Sequence, residues 1–368
     1  MNSRRNTRKY LPALISALAL FLFAAIFTVA PAAAQRTKQL PPPPPVPIYR
    51  PKPTPTPAPE ELDVVRVTSN LIGVPVSVTD AQGQPVLGLT ANQFRIEEDG
   101  RSQQIAQLGD PEQVPLDIAL LIDISGSVEA SFGFEQKAAA DFLRQVMKQG
   151  DRATVFAISD KPHFVQGLAS AEVAARQLMT VRPTKGSTAF FDTVLAAEKY
   201  LDQNSSQGRR RVIVVISDGE ETARILTQHE SDKARGGSSK LSLVENQVRF
   251  MERVNAEVVK EVQRGEVTFY SINPSGRTMH LNVRIARSQA GMEKLAAATG
   301  GAAFVPRTEG DLPAIFQRIA SEIRSQYLLQ YYSDNKSGGA AFRRIKVTAP
   351  ARPELRLRAR EGYFPKGQ

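Results

Sequence analysis

The pattern of apolar residues divides the chain into a middle part and two flanks. In the middle part, nearly continuous apolar runs are typical of strands buried on both faces of a sheet, and they lie at residues 118–122, 212–216 and 267–272, with shorter candidates at 154–158 and 302–305. Segments with helical periodicity lie between them, at residues 135–148, 171–179, 191–201, 241–263, 291–299 and 312–324. This alternation predicts an α/β fold with a doubly wound, mainly parallel sheet flanked by helices, as in Rossmann-like folds.

The two flanks have the period-two alternation of strands with one buried face. Val74, Val76 and Val78 alternate with Pro75 and Ser77. After the middle part, residues 327–332, 344–348 and 355–360 have the same character. We therefore expect an α/β domain over residues 113–325, inserted in a small β domain that is built from both chain ends, residues 61–112 and 326–368.

The first 60 residues have the features of a leader and a spacer. Residues 1–34 begin with basic side chains, continue with an apolar stretch and end in Ala32, Ala33 and Ala34, which is the order of a secretory signal peptide. If it is not cleaved, the apolar stretch is long enough to anchor the chain in a membrane. Residues 35–60 form a proline-rich linker that favours an extended spacer. We expect a secreted, periplasmic or envelope protein whose membrane contact is limited to an uncleaved N-terminal helix.

The composition excludes several kinds of site. The chain of 368 residues has no Cys, which excludes disulfides, thiolate zinc sites, iron–sulfur clusters and cysteine nucleophiles. Its three His residues are far apart in the sequence, and no zinc-protease, phosphate-loop or serine-hydrolase motif occurs. The net charge is +10, but the basic residues are not clustered among aromatic residues as a nucleic-acid-binding surface requires. We therefore expect no nucleic-acid partner.

Oxygen-bearing side chains follow two of the predicted buried strands. Asp123, Ser125 and Ser127 alternate after the strand at 118–122, and Asp218 follows the strand at 212–216. Thr188 lies between them in the sequence, just before a predicted helix. Ligands bind at the carboxyl ends of strands in a doubly wound sheet, so we expect these five residues to meet in one crevice. Such hard oxygen donors select Mg²⁺, Mn²⁺ or Ca²⁺.

This set of residues resembles the von Willebrand factor type A (VWA) domain and its metal-ion-dependent adhesion site (MIDAS), in which D-x-S-x-S is followed by a distant Thr and a distant Asp. The resemblance covers residues 114–325, and the flanks are similar to the acidobacterial type of VWA protein. It implies that Ser125, Ser127 and at times Thr188 contact the metal, while Asp123 and Asp218 act largely through water. A position then stays open for an Asp or Glu carboxylate of a protein partner, which is binding rather than catalysis.

Two other functions stay open from the sequence. A metal-dependent hydrolase of the haloacid-dehalogenase type also has an Asp after an apolar strand, but its general acid two residues later is here Ser125, which cannot serve as that acid. An envelope protein with a degenerate metal site would be purely structural. We expect a protein-binding module without enzymatic activity. Glu220 and Glu221, close to Asp218, are expected to be solvated at the rim of the crevice.

Overall fold

The computed structural model describes residues 71–110, 113–126, 131–227, 240–275, 283–335 and 341–365. The predicted signal peptide and linker lie outside these ranges, and so does Ser127. Within the described ranges, none of the helices combines the length and the apolar character needed to cross a membrane.

The described residues form fourteen strands and six main helices. The strands are β1 (Leu71–Thr79), β2 (Arg95–Glu98), β3 (Arg101–Gln103), β4 (Ile105–Gly109), β5 (Leu116–Asp123), β6 (Arg152–Ile158), β7 (Pro162–Ala169), β8 (Arg210–Ile216), β9 (Val267–Ile272), β10 (Ala303–Phe304), β11 (Tyr327–Tyr332), β12 (Arg343–Thr348), β13 (Arg356–Ala359) and β14 (Gly362–Tyr363). The helices are α1 (Phe132–Val146), α2 (Ala171–Leu178), α3 (Phe190–Asn204), α4 (Lys240–Arg264), α5 (Val283–Thr299) and α6 (Leu312–Ser325).

A six-stranded sheet in the order β10-β9-β8-β5-β6-β7 forms the centre of the fold. Its neighbouring strands run parallel, except that β7 is antiparallel to β6. Alternate residues of β5 enter two different cores: Ile118, Leu120 and Ile122 pack on the side of α1, α2 and α6, whereas Ala119 and Leu121 pack on the side of α3, α4 and α5. Both faces of the sheet are therefore covered, and the predicted fold class is confirmed.

Two elements differ from the prediction. The edge strand β7 was not predicted, because most of its side chains are partly exposed and its sequence has neither a continuous apolar run nor a clear alternation. Helix α5 begins at Val283, earlier than the predicted start at residue 291. The remaining predicted helices and strands of the middle part lie within about two to four residues of the observed bounds.

The flanks form two antiparallel sheets of four strands each, in the orders β13-β1-β11-β4 and β14-β12-β2-β3. Strand β1 pairs with β11 from Leu71 opposite Tyr332 to Val76 opposite Tyr327. Val74, Val76 and Val78 of the alternating pattern are buried in a separate core with residues of β11. Strands from the two sides of the middle part thus pair directly with each other.

A buried polar cluster joins α6 to the flanking sheet. Glu322 accepts hydrogen bonds from the Tyr270 hydroxyl on β9 (2.7 Å) and the Ser77 hydroxyl on β1 (3.2 Å), and it forms an ion pair with Arg358 on β13. Gln326 donates to the same two hydroxyl groups. One carboxylate therefore binds side chains from three strands that are distant in the sequence.

We expect Glu322→Ala to destabilise the fold by about 3 kcal/mol, because it leaves buried donors and an arginine without their acceptor. Urea unfolding followed by circular dichroism measures this change. Glu361→Ala, at an exposed position, removes the same charge and is expected to change stability by less than about 0.5 kcal/mol. Equal free energies of unfolding for the two variants would contradict the assigned role of Glu322.

Candidate metal centre

The candidate site lies at the carboxyl edge of the central sheet, where β5 and β8 end side by side. Asp123 is the last residue of β5, and Ile122 is aligned with Ile216, the last residue of β8. Asp123 and Ser217 therefore leave neighbouring parallel strands at the same level. This register brings together two segments that are far apart in the sequence.

The carboxylate of Asp123 is fully buried and held on both oxygen atoms. Its Oδ1 accepts the backbone N–H of Ser125 (2.9 Å), and its Oδ2 accepts the hydroxyl of Ser217 (2.6 Å). The Ser217 hydroxyl in turn accepts the N–H of Gly219 (2.9 Å), a residue in the left-handed region with φ of 72°. A side chain at Gly219 would be strained, so glycine allows the turn that brings this N–H to Ser217.

Asp218 provides a second carboxylate close to the first. It is 3% exposed, and its Oδ1 accepts the N–H of Glu220 (3.1 Å). The pKa of Asp123 is raised to about 6, first by burial and then by the negative charge of Asp218, while its hydrogen bonds oppose the shift. Among the described residues, neither aspartate forms an ion pair with Lys, Arg or His.

Thr188 is attached to the loop that follows Asp218. Its N–H donates to the Thr222 hydroxyl (2.6 Å), and its carbonyl accepts the N–H groups of Thr222 (2.9 Å) and Ala223 (3.1 Å). Thr188 and Ser125 are both buried. The structure thus places four of the five predicted residues at the same edge of the sheet: Asp123, Ser125, Thr188 and Asp218. Ser127 lies outside the described residues.

This donor set fits a hard divalent cation. Two carboxylates and two hydroxyl groups are the oxygen ligands that Mg²⁺, Mn²⁺ and Ca²⁺ prefer. A cation of charge +2 would balance the two buried negative charges, which otherwise repel each other in a poorly solvated place. Within the described ranges, no cluster of three or more His, Asp or Glu side chains is arranged to hold a metal. A metal here would therefore depend on hydroxyl oxygens and water in addition to the two aspartates.

Glu135 is a further acid near this site that the sequence interpretation missed. It lies in the first turn of α1, is fully buried and accepts the Ser131 hydroxyl on Oε1 (2.5 Å), while its Oε2 has no hydrogen-bond partner among the described residues. Burial raises the pKa of Glu135 to about 7, and the charges of Asp123, Glu309 and Asp218 add to this effect. A signal was present, because Glu135 occupies the buried helical stripe that continues through Ala138, Ala139 and Phe142.

The prediction for Glu221 is wrong. Glu221 is 2% exposed and does not lie at a solvated rim. It accepts the N–H of Phe191 (2.8 Å) and the N–H of Arg224 (3.2 Å), so its carboxylate fixes the start of α3 to the loop after β8. Burial raises the pKa of Glu221 to about 7. This acid supports the loop next to Thr188, which is a structural role.

Comparisons with known proteins agree with the domain type. Residues 118–221 match the family model of the von Willebrand factor type A domain. This part of the chain is therefore similar to VWA domains, as the sequence resemblance predicted. It contains all five predicted site residues. A search of curated proteins found no match.

Solved structures with a similar arrangement have low sequence identity. A mutant of the PilB minor pilin from Streptococcus sanguinis is 15% identical, with a TM-score of 0.45, over 58% of this chain and 62% of the pilin. A von Willebrand factor type A protein from Catenulispora acidiphila is 13% identical, with a TM-score of 0.41, over 70% of this chain and 51% of that protein. Proximal thread matrix protein 1 from the mussel byssus, with a zinc-occupied MIDAS motif, is 15% identical, with a TM-score of 0.43, over 62% of this chain and 50% of that protein. The chain thus spans between half and two thirds of these proteins.

We expect the free energy of unfolding of the metal-free protein to fall as the pH rises from about 5 to about 8. Asp123 and Glu135 have raised pKa values, about 6 and about 7, against 3.8 and 4.5 for ordinary carboxyl groups. The folded protein therefore binds more protons than the unfolded chain in this range, and it loses stability as these protons dissociate. Urea unfolding in EDTA across the range measures the fall.

Glu135→Gln removes one of the titrating groups, so its stability is expected to fall less steeply with pH than that of the wild type. Glu172→Gln, at an exposed position of α2, serves as the control and is expected to follow the wild type. A Glu135→Gln protein with the same pH dependence as the wild type would contradict the assigned pKa shift.

Proposed function

We propose that this chain is an extracytoplasmic protein-binding module with a divalent metal site of the MIDAS type. Asp123, Ser125, Ser127, Thr188 and Asp218 hold Mg²⁺, or Mn²⁺ or Ca²⁺ in its place. The bound ion offers a coordination position to an Asp or Glu carboxylate of a protein partner. The similarity of residues 118–221 to VWA domains supports this proposal.

The proposal rests on the lack, among the described residues, of a counter-charge at Asp123 and Asp218. Both carboxylates are buried, and their partners among the described residues are hydroxyl and amide groups. Uncompensated buried charges are costly, and proteins pair them or place them around a metal. Ser217, Ser125 and Glu220 orient the two carboxylates, and Thr188 and Ser125 add neutral oxygens. This leaves a bound cation electron-poor enough to attract a further carboxylate.

The proposed role is interaction rather than turnover. Residue 125, where a hydrolase of the haloacid-dehalogenase type needs a general acid, is a buried serine. The intact set of donors argues against a degenerate metal site in a purely structural envelope protein.

The proposed organisation follows the sequence. Residues 1–34 act as a signal peptide, or as a membrane anchor if uncleaved, and residues 35–60 as a spacer. The VWA domain over residues 113–325 is carried by β segments at 61–112 and 326–368, in the manner of the acidobacterial type of VWA protein. The protein then works in the periplasm, at the cell surface or after secretion.

Asp123→Asn is expected to lower Mg²⁺ affinity by about tenfold or more, because it removes one of two charges that face the ion while keeping the size of the side chain. Titration calorimetry with Mg²⁺ on the wild type and the variant measures the change, and circular dichroism checks that both are folded. Asp141→Asn removes a carboxylate from the exposed face of α1 and is expected to bind Mg²⁺ as the wild type does.

The same proteins, used as bait on envelope extract in Mg²⁺ and then in EDTA, test the partner. We expect the wild type to capture a partner protein in Mg²⁺. This capture is expected to be lost in EDTA and with Asp123→Asn. Equal Mg²⁺ affinity of wild type and Asp123→Asn would refute the metal site, and capture that persists in EDTA would refute a metal-dependent partner.

A further inference from the structure

A surface cavity of about 460 Å³ lies directly beside the candidate metal site. Ile124 forms part of its wall, and this residue stands between Asp123 and Ser125 in the sequence. Ser159, which directly follows β6, also lines it. Because Asp123 is aligned with Ile158 of β6, the cavity lies one strand away from the first aspartate.

The segment from Thr184 to Ala189 connects the cavity to the metal site. The N–H of Thr184 donates to the carbonyl of Ile124 (2.7 Å), and the N–H of Ala189 donates to the carbonyl of Ser159 (2.6 Å). Both ends of the segment are therefore fixed to the ends of β5 and β6. Thr184 lines the cavity, whereas Thr188 belongs to the metal site, and four residues span at most about 14 Å.

Most residues that line the cavity are neutral, but its permanently charged side chains are two basic ones and one acidic one, unlike the two carboxylates of the site beside it. Arg182, Lys185 and His163 line it, together with one acid, Asp160. Arg182 donates from Nη1 to the carbonyls of Met179 (2.9 Å) and Val181 (2.9 Å), which holds its guanidinium against the end of α2. Lys185 lies in the exposed turn of the connecting segment. The permanent positive charges of Arg182 and Lys185 thus lie within the length of a short peptide segment from the two buried aspartates of the metal site.

We propose that this cavity binds a second carboxylate of the partner, so that the protein recognises an acidic segment with two carboxylates a few residues apart. This inference rests on the proposed function, in which the first carboxylate coordinates the metal. Arg182 and Lys185 supply charge-assisted hydrogen bonds to the second one. A metal gives nearly the same bond to any exposed carboxylate, so neighbouring charges of this kind are needed for selectivity.

Synthetic peptides test the proposal without a known partner. Each peptide has one Asp in a Gly/Ser background, followed two to four residues later by either Glu or Gln. Each peptide is titrated into the ¹⁵N-labelled protein in Mg²⁺ and in EDTA, and the amide chemical shifts give its affinity. We expect the Glu peptide of the best spacing to bind about three- to tenfold more tightly than its Gln counterpart in Mg²⁺.

Two double variants assign this preference to the cavity. Arg182→Gln with Lys185→Gln is expected to abolish the preference for Glu over Gln while keeping Mg²⁺ affinity. Arg101→Gln with Lys346→Gln removes two exposed charges from the flanking strands β3 and β12 and is expected to keep the preference. Amide spectra of the metal-bound variants that match the spectrum of the metal-bound wild type would show that the variants are folded.

The outcomes separate this inference from the function on which it rests. Equal affinity of the Glu and Gln peptides for the wild type, or a preference that survives in the Arg182 and Lys185 variant, would overturn the second carboxylate site alone. Peptide binding that is the same in EDTA, or absent in Mg²⁺, would refute the metal-dependent function itself and this inference with it.

Discussion

Strand β5 carries two fully buried aspartates, one near each end, and the difference between their surroundings governs the site. Asp117, at the amino end, forms ion pairs with Arg152 (2.7 Å) and Arg209 (2.8 Å). Asp123, at the carboxyl end, is held by Ser125 and Ser217 and faces the charge of Asp218. The protein thus supplies its own cations at one end of the strand. At the other end, the residues that the structure describes supply oriented dipoles and no cation, which is the environment expected where a cation comes from solution.

Buried contacts connect the amino end of β5 to the helices and to the flanking sheet. Asp151 accepts the N–H groups of Leu116 (2.8 Å) and Lys148 (2.7 Å) and forms an ion pair with Arg324 at the end of α6. Glu322, on the same helix, is bonded to β1, β9 and β13. The amino end of the central strand, the end of α6 and the flanking sheet are therefore fixed together. The opposite edge of the sheet carries the loops of the candidate metal site and of the adjoining cavity.

Much of this fold follows from the sequence because burial on two faces leaves a continuous apolar run. Residues 118–122 are such a run, and the structure divides it between two cores. The partly exposed edge strand β7 has no comparable pattern. Asp123, Ser125 and Asp218 could be selected from their positions after strands, and Thr188 from its position before a predicted helix. The bond from Ser217 to Asp123, by contrast, depends on the alignment of Ile122 with Ile216. The burial of Glu221 depends on contacts with α3, which no local pattern encodes.

We propose that Asp123 and Asp218, which have no cationic partner among the described residues, bind a divalent cation where β5 and β8 end. Crystals of the protein grown with Mn²⁺ and measured near the manganese absorption edge would locate this cation. We expect an anomalous difference peak among the oxygen atoms of Asp123, Ser125, Thr188 and Asp218, and we expect this peak to be lost in crystals of Asp123→Asn. A peak elsewhere with none at this position, or a lysine, arginine or histidine from outside the described residues paired with Asp123 and Asp218, would contradict it.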